Sequence, residues 1–182
     1  MSKLVLVFSM SVDGFVAGPD VSPDFPMGRG GEALHEWMAS ADPIDAAVVE
    51  TQRERTGAAI LGRTTYDVGR PFWDGTPYPV PAIVLTHRRA EPDPGFSFVQ
   101  SGIGEAFDQA RSIAADRDIV VMGASVAGQF LDAGLVDEIA LQIVPVILGS
   151  GQRLFNSTDL SMQLEMASAR RSSTVIHVTY RR

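Results

Sequence analysis

Two segments of the chain end an apolar run on a glycine and follow it with hydroxyl-bearing residues. In one, Ala58, Ala59, Ile60 and Leu61 lead into Gly62, Arg63, Thr64 and Thr65. In the other, residues 119–122, ending on Met122, lead into Gly123, Ala124, Ser125 and Val126. A glycine at such a point lets backbone approach a ligand closely, and the first turn of a helix beyond it carries N–H groups without internal partners. Those donors, together with the positive end of the helix dipole, hold an anion. Taken singly, each turn is more often an ordinary strand-to-helix connection. As a pair at one sheet edge they suit a ligand with two separated phosphates, and a dinucleotide is the expected candidate. Neither segment matches G-x-G-x-x-G, so the common dinucleotide-binding fingerprint is absent. Arg63, directly after the first glycine, can fork onto a phosphate, which points to the extra 2′-phosphate of NADPH. Thr86, His87 and Arg88, after a third apolar run, add a second polar and basic cluster.

The elements that must position these groups are legible as short β-branched runs at 4–8, 58–61, 82–85, 96–99, 119–122, 138–144 and 175–180, with a weaker alternating run at 163–169. Several are apolar on both faces, as strands covered by helices on each side are. Helical spacing falls between them. After Ser101 as expected N-cap come Ile103, Ala106, Phe107, Ala110, Ile113 and Ala114. After Gly123 come Val126, Ala127, Phe130 and Leu131, with Gly134 placed to end the helix. Ala33, Leu34, Trp37 and Met38 form a short amphipathic stretch. Alternating strand and helix predicts βαβ units in an α/β fold with a largely parallel sheet, finished by antiparallel strands in the helix-free last third. Residues 18–31 and 69–81, rich in Pro and Gly, read as irregular loops long enough to cover a site.

A chain of 182 residues suits one domain with one substantial core. Its net charge of −7 argues against a nucleic-acid or anionic-membrane surface, both of which need a basic footprint. The absence of cysteine removes disulfides, thiolate metal sites and a cysteine nucleophile, and fits a reducing, cytoplasmic compartment. The apolar run at the N-terminus is too short for a signal or membrane segment and reads as a buried strand. His35, His87 and His177 are too scattered to predict a metal site.

Gly62-Arg63-Thr64-Thr65-Tyr66 and Val121-Met122-Gly123-Ala124-Ser125 together resemble the dihydrofolate-reductase-like superfamily. The stretch from Gly128 to Glu138, continuing from Val144 to Gly151, and the N-terminal Ser9-Met10-Ser11-Val12-Asp13-Gly14 are similar to the C-terminal reductase domain of bifunctional riboflavin-biosynthesis deaminase/reductases. The resemblance covers nearly the whole chain. It implies a three-layer fold, a mostly parallel mixed central sheet with helices on both faces, and NADPH across the carboxyl edge of the strands. By the same resemblance Gly62, Arg63, Thr64 and Thr65 meet the adenosine-side phosphates, with His87 or Arg88 near the 2′-phosphate. Gly123, Ala124, Ser125 and Val126 cradle the pyrophosphate, Ser9, Val16 and Ala17 lie beside the nicotinamide, and residues 18–31 form the loop that closes over the ring. A homodimer is implied as well. Two departures stand out: Gln142 occupies a position where folate enzymes tend to carry threonine, and Met122 stands where riboflavin-type domains often carry glutamate.

Reduction of C=N or C=O by a nicotinamide needs orientation, a dry pocket and a proton. Asp13 and Glu36 are the expected acids, Glu36 on the helix where dihydrofolate reductases keep a carboxylate. Trp37, Phe72 and Trp73 are expected to line an aromatic substrate pocket with Gln142. The expected activity is hydride transfer to a small heterocycle, pterin/folate-like or ribosylaminopyrimidine-like, as in dihydrofolate reductase or 5-amino-6-(5-phosphoribosylamino)uracil reductase. A non-catalytic NADPH-binding domain is the alternative. A serine hydrolase built on Ser125, Asp137 and His177 is a weaker one, because the elbow motif ends on Ala127 where glycine is needed.

Overall fold

The computed structural model describes residues 2–156 and 161–182. Eight strands build one sheet: β1 (Leu4–Ser11), β3 (Thr56–Gly62), β4 (Ala82–Leu85), β5 (Phe96–Val99), β6 (Asp118–Met122), β7 (Glu138–Val144), β9 (Glu165–Arg171) and β10 (Ile176–Arg181). Their order is β5-β4-β3-β6-β1-β7-β10-β9, while β2 (Phe15–Ala17) and β8 (Gln152–Arg153) form a separate small ribbon. The six strands from β5 to β7 are parallel; β10 alone runs against them, pairing antiparallel with both β7 and β9. The parallel strands therefore all open their carboxyl ends onto one edge, as the alternating pattern predicts.

Both faces of the sheet are covered. Leu4, Leu6, Ala58, Ile60, Ile119 and Val121 pack against Ala106, Ala110 and Ala114 of α3 (Ile103–Ala114) and Val126, Ala127 and Phe130 of α4 (Ala124–Asp132). On the opposite face Ala59, Leu61 and Val84 lie under Tyr66 of α2 (Arg63–Gly69) and Trp73. Beside them Leu34 and Trp37 pack with Val48 and Val49 of α1 (Pro43–Arg55). α4 ends as expected at Gly134 (φ 66°): its N–H donates to Leu131 O and that of Leu135 to Phe130 O, the paired bonds of a Schellman stop.

Three expectations need correction. α3 is capped by Gly102, not Ser101, whose hydroxyl is spent on the Glu105 side chain. The stretch around Trp37 is two 3-10 turns, Gly31–Leu34 and Glu36–Ala39; Leu34 and Trp37 are buried, but Met38 is 51% exposed. The first α-helix is α1, which hydrophobic spacing does not reveal. Its start is written in another code. Asp42 accepts from the Ile44 N–H as N-cap and Pro43 takes the first helical position, where its missing N–H costs nothing.

At the amino edge of the sheet the Glu138 carboxylate, 1% exposed, meets Lys3, Arg55 and Arg181 at 3.3, 3.1 and 3.3 Å. Burial opposes its ionisation, but Arg55 and Lys3 outweigh that and hold it below the ordinary glutamate range. This cluster braces the edge opposite the functional one. Among the described residues, no helix is long and apolar enough to cross a membrane.

Candidate active site

β3 and β6 are neighbours with Leu61 beside Met122, so Gly62 and Gly123 leave the sheet side by side. A β-carbon on Gly123 would sit 2.6 Å from Thr65 Oγ1 and 3.9 Å from Gly62 N; one on Gly62 would touch Val126 Cγ2 at 3.0 Å. The two helix starts thus converge from opposite faces onto one notch. Gly123 has φ 95°, a conformation that residues with a side chain rarely adopt. Thr64 and Ser125 are exposed, Thr65 and Met122 half-buried, and Ala124 and Val126 buried below them.

Arg63 opens α2 and turns its Nε to Asp67 Oδ1 at 2.6 Å, one turn on. Its Nη1 is buried without a hydrogen-bond partner. The guanidinium lies over the Tyr66 ring, 5.6 Å from its centroid, which partly offsets the missing acceptor. Arg88, from the turn after β4, reaches the other oxygen of Asp67 at 2.8 Å, and Thr86 holds that turn by accepting the Arg88 N–H at 3.0 Å. His87 is exposed beside it.

A second group of polar residues crosses the sheet at the same end. Ser9, Gln142 and His177 are register partners on β1, β7 and β10, so their side chains share one face. All three are buried. Trp37 Nε1–H donates to Ser9 Oγ at 2.8 Å, and its ring meets that of His177 edge-on at 5.1 Å. Gln142, 3% exposed, makes no side-chain hydrogen bond to any described residue. With His177 it lines one end of a cavity of about 230 Å³ between α1 and the sheet, which runs to Arg55, Asp118 and Glu138 at the amino edge.

Asp45 of α1 closes this row from above. One oxygen lies 2.8 Å from His177 Nε2; the other accepts from Ser40 and Thr174, each at 2.5 Å. Burial opposes ionisation of this 1% exposed carboxyl, but the Ser40, Thr174 and Ser172 hydroxyls and the His177 ring outweigh it and hold the carboxyl at about 2. His177 Nδ1 is buried without a partner.

The two expected acids lie elsewhere. Asp13 sits in the turn after β1, where its oxygens accept from the Leu148 and Gly149 N–H groups at 3.1 and 2.7 Å. The Ser11 hydroxyl, with the Gly149 and Leu148 amides, keeps its carboxyl at about 2, so at neutral pH it has no proton to give and serves as a brace. Glu36 is exposed in a 3-10 turn and is not on the first α-helix; the buried carboxylate of that helix is Asp45. Trp73 stacks with Phe96, 6.3 Å between centroids, in the cluster under α2, while the Phe72 ring is 70% exposed. Neither joins Trp37. Val16 and Ala17 are buried in β2, which the 11–14 turn returns to the carboxyl end of β1. Residues 18–31 are folded back on themselves by Gly18 N–H to Met27 O and Arg29 N–H to Pro19 O. No hydrolase triad forms: Ser125 is at the carboxyl edge, Asp137 accepts the Leu4 N–H at the opposite edge, and His177 is committed to Asp45.

This order of strands, with paired helix starts at one edge, defines a dihydrofolate-reductase-like α/β protein. The fold superposes on a protein assigned to riboflavin biosynthesis from Shewanella sp. PV-4 with a TM-score of 0.77, at 20% identity over 99% of this chain and 98% of that one. It also superposes on dihydrofolate reductase from Enterococcus faecalis, solved with NADP(H), with a TM-score of 0.67 at 16% identity over 99% and 96% of the two chains. The RibD C-terminal domain profile matches residues 2–178, and the chain belongs to that family. In sequence it is 23% identical to the YwjB protein of Bacillus subtilis over 98% of this chain and 97% of the relative.

Proposed function

We propose that the protein is an NADPH-dependent reductase of a small planar heterocycle. The observation that carries this is the Gly62–Gly123 notch beside Arg63 and Arg88, two cations gathered on one carboxylate. When bound, NADPH supplies a hydride. The chain's own residues do the rest. Thr64, Thr65 and the first-turn N–H groups at Gly123, Ala124, Ser125 and Val126 hold the phosphates, and Arg63 with His87 and Arg88 meets the 2′-phosphate. Ser9, Val16 and Ala17 flank the ring, and Trp37 roofs the substrate over Gln142 and His177.

Asp45 takes the place first given to Glu36. Being ionised at neutral pH, it is no proton donor itself; it fixes the His177 ring, and the hydrogen shared between the two belongs to the imidazole. Both Asp45 oxygens are occupied by Ser40, Thr174 and His177. With these partners Asp45 does not turn both oxygens to a 2-aminopyrimidine edge, whereas the Gln142 amide offers a donor and an acceptor together. That favours the –CO–NH–CO– edge of a ribosylaminopyrimidine over the –CO–NH–C(NH2) edge of a pterin, whose 2-amino group needs a further acceptor. A second copy of the chain is the partner we propose, since β9 is exposed along its length at a sheet edge. A non-catalytic NADPH binder would share the notch but turn nothing over.

A titration of NADPH and NADH against the wild type and Arg63→Ala tests the cofactor reading. The wild type is expected to prefer NADPH, and the substitution to weaken its binding by about 1.5–3 kcal/mol, roughly ten- to hundredfold, with NADH little changed. Equal affinity for both cofactors in the wild type would defeat it. Oxidation of NADPH is then followed with a ribosylaminopyrimidine and with dihydrofolate, the first being the expected substrate.

A further inference from the structure

We propose that Asp67 is a positioning residue that sets cofactor preference by holding Arg63 and Arg88 together for one phosphate; this rests on the NADPH reading above. The two arginines come from separate elements. Arg63 starts α2, and Arg88 follows β4, the strand beside β3 in the sheet. Among the described residues they are joined through the Asp67 carboxylate alone, Oδ1 to Arg63 Nε at 2.6 Å and Oδ2 to Arg88 Nη2 at 2.8 Å. Each guanidinium spends part of its fork on Asp67 and keeps N–H groups for another acceptor. On Arg63, Nη1 is shut from water, and Nη2, without a hydrogen bond among the described residues, is the group left for a ligand.

The arrangement has a charge consequence. Two guanidiniums and one carboxylate leave a net positive charge, so the cluster still attracts a dianion. Both Asp67 oxygens are covered by cations, which mutes their repulsion of a phosphate. Without Asp67 the two cations repel each other, and Arg88, with 66% of its side chain exposed, loses its tether. The long side chain would then have to be ordered again each time a phosphate binds. The recognised chemistry is a phosphomonoester on the adenosine ribose. NADH, which lacks only that group, serves as the internal control.

The Arg63–Asp67 pair is half-buried and Arg88 is exposed, so Asp67→Ala is expected to lose little stability, and urea unfolding of each variant confirms that it is folded at the titration temperature. The test is calorimetric titration of NADPH and NADH into wild type, Asp67→Ala and Asp67→Glu. Asp67→Ala is expected to raise the NADPH Kd by about tenfold while leaving NADH within about twofold, and Asp67→Glu, which restores the carboxylate, to recover most of the loss. NADPH binding by Asp67→Ala as tight as in the wild type, or tighter, overturns the proposal; so does an equal loss for NADH, which marks a merely structural role. A wild type without NADPH preference overturns the parent reading and this one together. A preference that is intact in the wild type but indifferent to Asp67 removes this one alone.

Discussion

Gly123→Ala is expected to cost the protein its nucleotide: NADPH affinity falls by about a hundredfold, and stability by roughly 2 kcal/mol. Two physical effects combine. At φ 95° a β-carbon forces the backbone out of the conformation that starts α4 at the edge of the sheet. The same methyl would lie 2.6 Å from Thr65 Oγ1, inside the notch where two helix starts meet. Relaxing either contact moves the N–H groups of Ala124 and Ser125 off the position they share with Gly62. Gly128→Ala, within the same helix, is the control. Nothing lies within 4 Å of its β-carbon, so the change is expected to stabilise by about 0.5–1 kcal/mol and leave binding untouched. Equilibrium titration and urea unfolding on both variants give the comparison. Wild-type affinity in Gly123→Ala would place the nucleotide somewhere else.

The second large effect falls on Asp45. Asp45→Ala strands the Ser40 and Thr174 hydroxyls and the His177 ring without their acceptor, at a cost of roughly 3 kcal/mol. Asp45→Asn keeps the shape but no longer fixes the imidazole, and turnover is expected to drop about a hundredfold or more. The pH dependence has a definite sign. The folded-state value lies near 2, below the 3.8 of a free aspartate, so the carboxylate stabilises the fold above about pH 4. That contribution disappears as the pH falls from about 4 towards 2. Glu138, also held below its ordinary range, adds to the acid sensitivity of the wild type. The difference between wild type and Asp45→Asn, measured by urea unfolding across this window, isolates Asp45: it is expected to shrink as the pH drops. A difference independent of pH, with turnover intact, would deny Asp45 both roles.

The notch was legible because its cause is local. Two apolar runs each end on a glycine, and parallel pairing of β3 with β6 then brings the glycines together at one edge. Asp45 was not legible, because burial makes it what it is. Its partner His177 lies 132 positions along the chain, and α1 covers a cavity instead of seating an apolar stripe, so its surface carries no clear period. Asp42-Pro43 was the available signal, a capping residue followed by proline at the first helical position. Glu36 drew attention through the Leu34–Trp37 spacing of three, which suits a 3-10 turn as well as an α-helix. Trp73 was misplaced for a related reason. An aromatic side chain in a proline-rich loop suggests a pocket wall, yet here the ring packs inward against Gly69 and Phe96. The exposed β9 and the two-residue β8 have too little one-sided burial to show in the sequence at all.

The most direct test of the account is the pattern of amide shifts when NADPH is added to the isotope-labelled protein. The largest changes are expected at the N–H groups of Arg63, Thr64 and Thr65 and of Gly123, Ala124 and Ser125, with the Arg63 Nε–H moving alongside them. Those groups staying silent while shifts gather on β9 and β10, or no shifts at saturating NADPH, would contradict it.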